Sequence, residues 1–161
     1  MPTATTARPQ QSLFRAILFT WLLAGTMDGL AAIIQYTIKG GKTPQVIFKY
    51  IASAALDKNT VPSDTLVLAG IGFHYLIALL FTIFFFLIFR PAGLKRFNKY
   101  LVGFIYGLVV WAIMNRIVVP LSRLGASPFH LDKALIAAGI LVLCIGMPVS
   151  LMANKYYLYK K

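Results

Sequence analysis

An aspartate stands in the middle of "LAGTMDGLAAIIQY", residues 23–36, where almost every other position is apolar or small. A histidine stands in the same way inside "LAGIGFHYLIALLF", residues 68–81. Asp28 and His74 are acid–base residue types, and a carboxylate in a bilayer interior is normally paired, protonated or in contact with water because its charge is costly there. The expectation is a buried hydrogen bond between the two. It would serve either as part of a proton or cation relay or as a static clasp between helices. Asn115, Arg116 and Gln35 are further polar side chains within apolar runs and complete the candidate intramembrane polar core. Asn115 reads as an interhelical hydrogen bonder. Arg116 reads as a side chain that snorkels to the outer interface with Arg123, the sharper alternative being an inward turn as counter-ion to Asp28.

Other chemistry finds little support. The chain has no GxSxG, no HExxH, no phosphate-binding glycine loop, no paired carboxylates and no glutamate at all. His130 falls near the outer interface, several turns from His74 in depth, so ligation of a haem by both is not expected. No metal site and no cofactor are expected, and the chain does not read as an enzyme. The single cysteine, Cys144, rules out an intramolecular disulfide and reads as a small packing residue in mid-helix.

The elements that position these residues follow from composition. Hydrophobic residues make up 59% of the 161, charged residues 12%, and the mean hydropathy is +0.77, a balance that belongs to membrane proteins. Four segments reach the roughly 20 apolar residues needed to span a hydrocarbon core. They predict transmembrane helices over about 13–38, 66–89, 100–121 and 130–153. The first is not read as a cleaved signal, because its apolar pattern runs well past "LLAG" to Ile38. Residues 1–12 read as a disordered tail, 13–154 as the four-helix domain and 155–161 as a basic tail. The fold class is all-α: a polytopic membrane protein of four transmembrane helices and one short lateral helix.

That lateral helix is predicted over about 44–56, with Thr43 as N-cap and Pro44 in the first turn. Its apolar positions Ile47, Tyr50, Ile51 and Ala54 oppose Gln45, Lys49 and Ser53, the pattern of a helix lying in the interface. In the third loop, Ser127 and Pro128 mark the approach to the last helix, and Pro148 should bend that helix. Trp21, Trp111 and the terminal "KYYLYKK" read as interfacial anchors.

Helical spacing puts Ala24, Gly25, Asp28, Ala31, Ala32 and Gln35 on one face of the first span and bulkier residues on the others. In the second span Gly70, His74, Ala78 and Thr82 recur at every fourth position. Counted from their shared loop, Asp28 and His74 lie at depths of about 15 and 12 Å, within a turn of each other. Gly25 and Gly29, Gly70, and Gly103 and Gly107 are the candidate helix-packing glycines. The two GxxxG pairs could be a trace of a two-helix duplication, although such pairs are frequent in membrane helices.

A net charge of +12 would suggest nucleic acid in a soluble protein. Here nucleic acid is not an expected partner. Arg8 and Arg15, then Arg90, Lys95, Arg96 and Lys99, then Lys155, Lys160 and Lys161 lie on one side of the predicted topology without an acid. The other side mixes seven basic residues with Asp57, Asp64 and Asp132. The positive-inside rule therefore puts both termini in the cytoplasm, with anionic lipid head groups at that face as partners.

The stretches "LLAGTMDGLAAIIQY", "YIASAAL", "LAGIGFHYLIALLF" and "VGFIYGLVVWAIMNRIVVPLSRLGASP" resemble an uncharacterised group of small bacterial four-helix membrane proteins. Through the second-span histidine and "PLSRLGASP" the chain is more distantly similar to the YagU-like inner-membrane proteins. The resemblance, over about residues 20–150, implies the four-helix fold, the bacterial inner membrane and inward placement of Asp28 and His74. It implies no activity. Two functions remain from the sequence: a small oligomeric transporter or channel-like protein built around the polar core, or a non-transporting structural or accessory subunit. The partners expected are the lipid bilayer and either further copies of the chain or another membrane protein.

Overall fold

The computed structural model describes residues 12–125 and 128–158, and its regular elements are all helical. Helix α1 spans Leu13–Ile38, α2 Gln45–Ala52, α3 Ser63–Phe89, α4 Lys99–Leu121 and α5 Leu131–Leu158, with a short 3-10 turn at Leu94–Arg96. The four long helices contain 26, 27, 23 and 28 residues, more than the roughly 20 that cross a hydrocarbon core. Their outer faces are studded with exposed Leu30, Leu80, Leu108 and Leu143, apolar surface that a bilayer covers and water would not. The protein is a multi-pass helical membrane protein.

Local chemistry sets the helix ends. Ser12 accepts a hydrogen bond from the Arg15 N–H and starts α1; the Asn98 side chain does the same for the Tyr100 N–H at the start of α4. Gly40, at φ 84°, ends α1 in a conformation that suits glycine. Three expectations fail at this level. Pro44, not Thr43, occupies the cap position of α2, and no side chain caps it; Thr43 contributes only its backbone carbonyl, to the Val46 N–H. Helix α2 ends at Ala52, short of residue 56, where the bonds tighten to a three-residue spacing, Ala54 N–H to the Ile51 carbonyl and Ala55 N–H to the Ala52 carbonyl. Helix α5 continues to Leu158, so Tyr156 and Tyr157 belong to the last helix and not to a tail: Tyr157 stacks on Phe89 at 5.0 Å, and its hydroxyl donates to the Phe86 carbonyl at 2.9 Å. The tails 1–11 and 159–161, and Ser127 of the third loop, lie outside the described residues.

Helix α1 packs against α3 and α5, α4 against α5, and α2 lies on α3. Small residues permit each close approach. A side chain at Gly70 would meet the Phe48 backbone carbonyl of α2, and one at Gly146 would meet the Gly103 carbonyl across the α4–α5 seam. Each GxxxG pair thus faces the next long helix in the chain: Gly25 and Gly29 take Tyr75 and His74 of α3, while Gly103 and Gly107 take α5. At the end that carries residues 90–99, the core is aromatic and dry, with Phe85, Phe86, Phe89 and Tyr106 packed around Ala16, Val149 and Ala153.

Helices α4 and α5 share one irregularity. Each contains a π turn, Met114–Val118 and Val142–Gly146, followed two residues later by a proline, Pro120 and Pro148. Proline lacks an N–H and its ring crowds the carbonyl four residues back, here Arg116 and Cys144, so the preceding turn widens to re-pair its carbonyls. The bend expected at Pro148 takes this form.

Candidate functional site

Between the helices lies a cavity of about 220 Å³ whose wall is drawn from all five of them. Its polar members are Asp28 from α1, His74 from α3 and Asn115 from α4. The rest is apolar, including Ile51, Phe81, Met114 and Ile145. The π turns supply Met114, Asn115 and Ile145 to this wall, so the two places where the helices widen are also places where they border open space.

The Asp28–His74 hydrogen bond expected from the sequence is not made. With no Cβ at Gly29, the His74 ring settles against the α1 backbone, and Nε2 lies 2.8 Å from the Gly25 carbonyl oxygen. A carbonyl only accepts, so Nε2 carries the proton. In the neutral ring this leaves Nδ1 as an acceptor. Asp28 is half-buried, and no donor among the described residues lies within hydrogen-bond distance of its carboxylate. Its oxygens are open to the cavity.

Asn115 does not bond across helices either. Its Nδ2 donates to the Trp111 carbonyl one turn back, at 3.0 Å, which fixes the amide orientation and leaves Oδ1 free. Arg116 is exposed, its guanidinium 5.0 Å from the Phe129 ring centre. Arg123 pairs with Asp57 at 3.2 Å and ties the third loop to the first. Gln35 is half-buried on α1, outside the cavity wall.

Comparison of the chain with protein-family models, with curated proteins and with solved structures finds no match. The site stands on its geometry.

Several residues that organise the interior were not singled out from the sequence. Tyr75 receives the Trp21 indole N–H on its backbone carbonyl at 2.7 Å and shares a 2.9 Å hydroxyl contact with Thr26. Trp21 is therefore an interhelical tie. The Trp111 indole nitrogen is likewise buried, with no partner. Tyr106 donates to the Phe81 carbonyl at 2.6 Å and packs on Phe85 at 4.5 Å, joining α4 to α3. Its position between Gly103 and Gly107, on the same face of α4, is the signal that would have found it. Ser150 donates to the Lys99 carbonyl at 2.7 Å and pins α5 to the start of α4.

His74 has spent its Nε2–H on a backbone carbonyl, Asn115 one of its two amide N–H groups, and Asp28 has none to offer when ionised. Acceptors therefore outnumber donors around the space, which suits a cation or a solute rich in hydrogen-bond donors.

Proposed function

We propose that the protein is a small transporter or channel-like protein that admits a monovalent cation or a protonated amine to the Asp28 cavity. The observation that carries this reading is a membrane-depth carboxylate without a protein donor, open to a cavity where the Asn115 Oδ1 is a further acceptor. A side chain kept only as a clasp would have its partner. The cavity, at about 220 Å³, is smaller than the roughly 300–1,000 Å³ of common ligand pockets. A small head group fits it, and a pathway through the bilayer then calls for further copies of the chain. No catalytic role is assigned.

The same proposal holds the chain to be a bacterial inner-membrane protein related to the small four-helix and YagU-like proteins it resembles. Both termini are cytoplasmic, and anionic lipid meets Arg90, Lys95, Arg96 and Lys99. The excess of lysine and arginine at that end supports this orientation.

Flux in proteoliposomes tests the functional reading. Reconstituted protein should carry ammonium or alkali cations above the level of protein-free vesicles, and Asp28→Asn should return the flux to background while remaining folded. Background flux from folded, correctly inserted wild-type protein overturns the reading.

A further inference from the structure

The Asp28 cavity has a neighbour. A second space of about 360 Å³ lies beneath α2 between α3 and α4, with almost entirely apolar walls, among them Phe73, Leu76 and Val118. Ile51, Ile77, Met114 and Val119 line both spaces. The acceptor-rich cavity and the apolar groove are therefore adjacent compartments separated by four side chains. Leu76 and Val118 are exposed on the outer surface, 50% and 37%, so the groove opens toward the surrounding lipid. The two arginines of this end are engaged elsewhere, Arg123 on Asp57 and Arg116 over Phe129.

We propose that the occupant is an amphiphilic ammonium, a protonated amine with an apolar body, which reaches the site from the lipid through the α3–α4 groove. This rests on the reading of the Asp28 cavity as a cation site and adds the class of cation and its route. The ammonium places its N–H donors toward the Asp28 carboxylate, with Asn115 Oδ1 as a further acceptor. Its apolar body occupies the groove against Phe73 and Leu76. Neither space suffices alone: the cavity suits a head group, and the groove offers nothing to a charge. Such a ligand partitions into the bilayer first, which concentrates it at the groove and removes the need for an aqueous mouth.

The test uses the full chain in nanodiscs of zwitterionic lipid, with empty nanodiscs subtracted, and three probes: 4-phenylbutylammonium, its uncharged analogue 4-phenylbutanol, and methylammonium. The expected result is that 4-phenylbutylammonium binds at least about tenfold more tightly than either of the others, the scale of one charge-assisted hydrogen bond. Asp28→Asn should remove that preference. Val118→Trp, which adds bulk at an exposed groove position, should weaken 4-phenylbutylammonium and spare methylammonium. Asp28-dependent binding of methylammonium with no gain from the apolar body, or insensitivity to Val118→Trp, overturns the amphiphile proposal and leaves the cation site standing. Equal binding of the alcohol shows a lipid groove only and overturns it too. Absence of Asp28-dependent binding by either ammonium removes both readings.

Discussion

The two ends of the bundle handle polar groups in opposite ways. At the end with Phe85, Phe86 and Phe89, the hydroxyls of Tyr106, Tyr157 and Ser150 each reach a backbone carbonyl on a neighbouring helix, at 2.6, 2.9 and 2.7 Å. Those groups have no unused donor and the packing around them is dry. At the other end His74 and Asn115 also spend donors on carbonyls, but their acceptors and the Asp28 carboxylate border open space. The first end satisfies its hydroxyls from within the chain. At the second, the Asp28 carboxylate has no donor among the described residues, and a charge left so in lipid is costly.

The largest expected effect breaks the dry end. Gly146→Leu sets a side chain against the Gly103 carbonyl and the Gly107 backbone. Because the neighbours are backbone, the seam must part, at the upper end of the roughly 1–3 kcal/mol typical of overpacking or beyond. Gly139→Leu, a helix position with nothing within 4 Å, is the control and should stay within about 0.5 kcal/mol of wild type. Thermal unfolding in detergent reads both. A smaller effect sharpens the comparison: Tyr106→Phe removes one interhelical bond while keeping the ring on Phe85, and should cost about 0.6–1.7 kcal/mol. A neutral Tyr106→Phe would mean that the dry end is held by packing alone.

The sequence made the four spans legible because apolar length is a property of the chain itself. It also made the inward face of α1 legible: Ala24 and Gly25 are buried while Leu22, Leu23 and Leu30 are exposed. Helical spacing alone separates these sets. What it could not supply was the partner of each polar group. Asp28 and His74 share a depth, and depth suggested a bond. The ring turned instead to the Gly25 carbonyl, because the glycine one turn on, Gly29, leaves room for it against α1. A helical carbonyl has a second lone pair for such a bond, and no side-chain pattern marks which carbonyl will be used. The lateral helix shows the same limit. Its apolar spacing predicted an amphipathic helix but not its seat: Gly70 lets it lie close on α3, where Ile51 becomes part of the cavity wall.

The most direct test of the open carboxylate is a stability cycle on Asp28→Asn and His74→Ala in detergent without added amine. His74→Ala should destabilise, because it loses the bond to the Gly25 carbonyl. Asp28→Asn should leave stability within about 0.5 kcal/mol of wild type or raise it, since no protein hydrogen bond is lost and a costly charge is removed. The two effects should add to within about 0.5 kcal/mol. A loss of more than about 1 kcal/mol in Asp28→Asn that disappears when His74 is also replaced would place the histidine on the carboxylate, and would contradict the account of a cavity that waits for its cation.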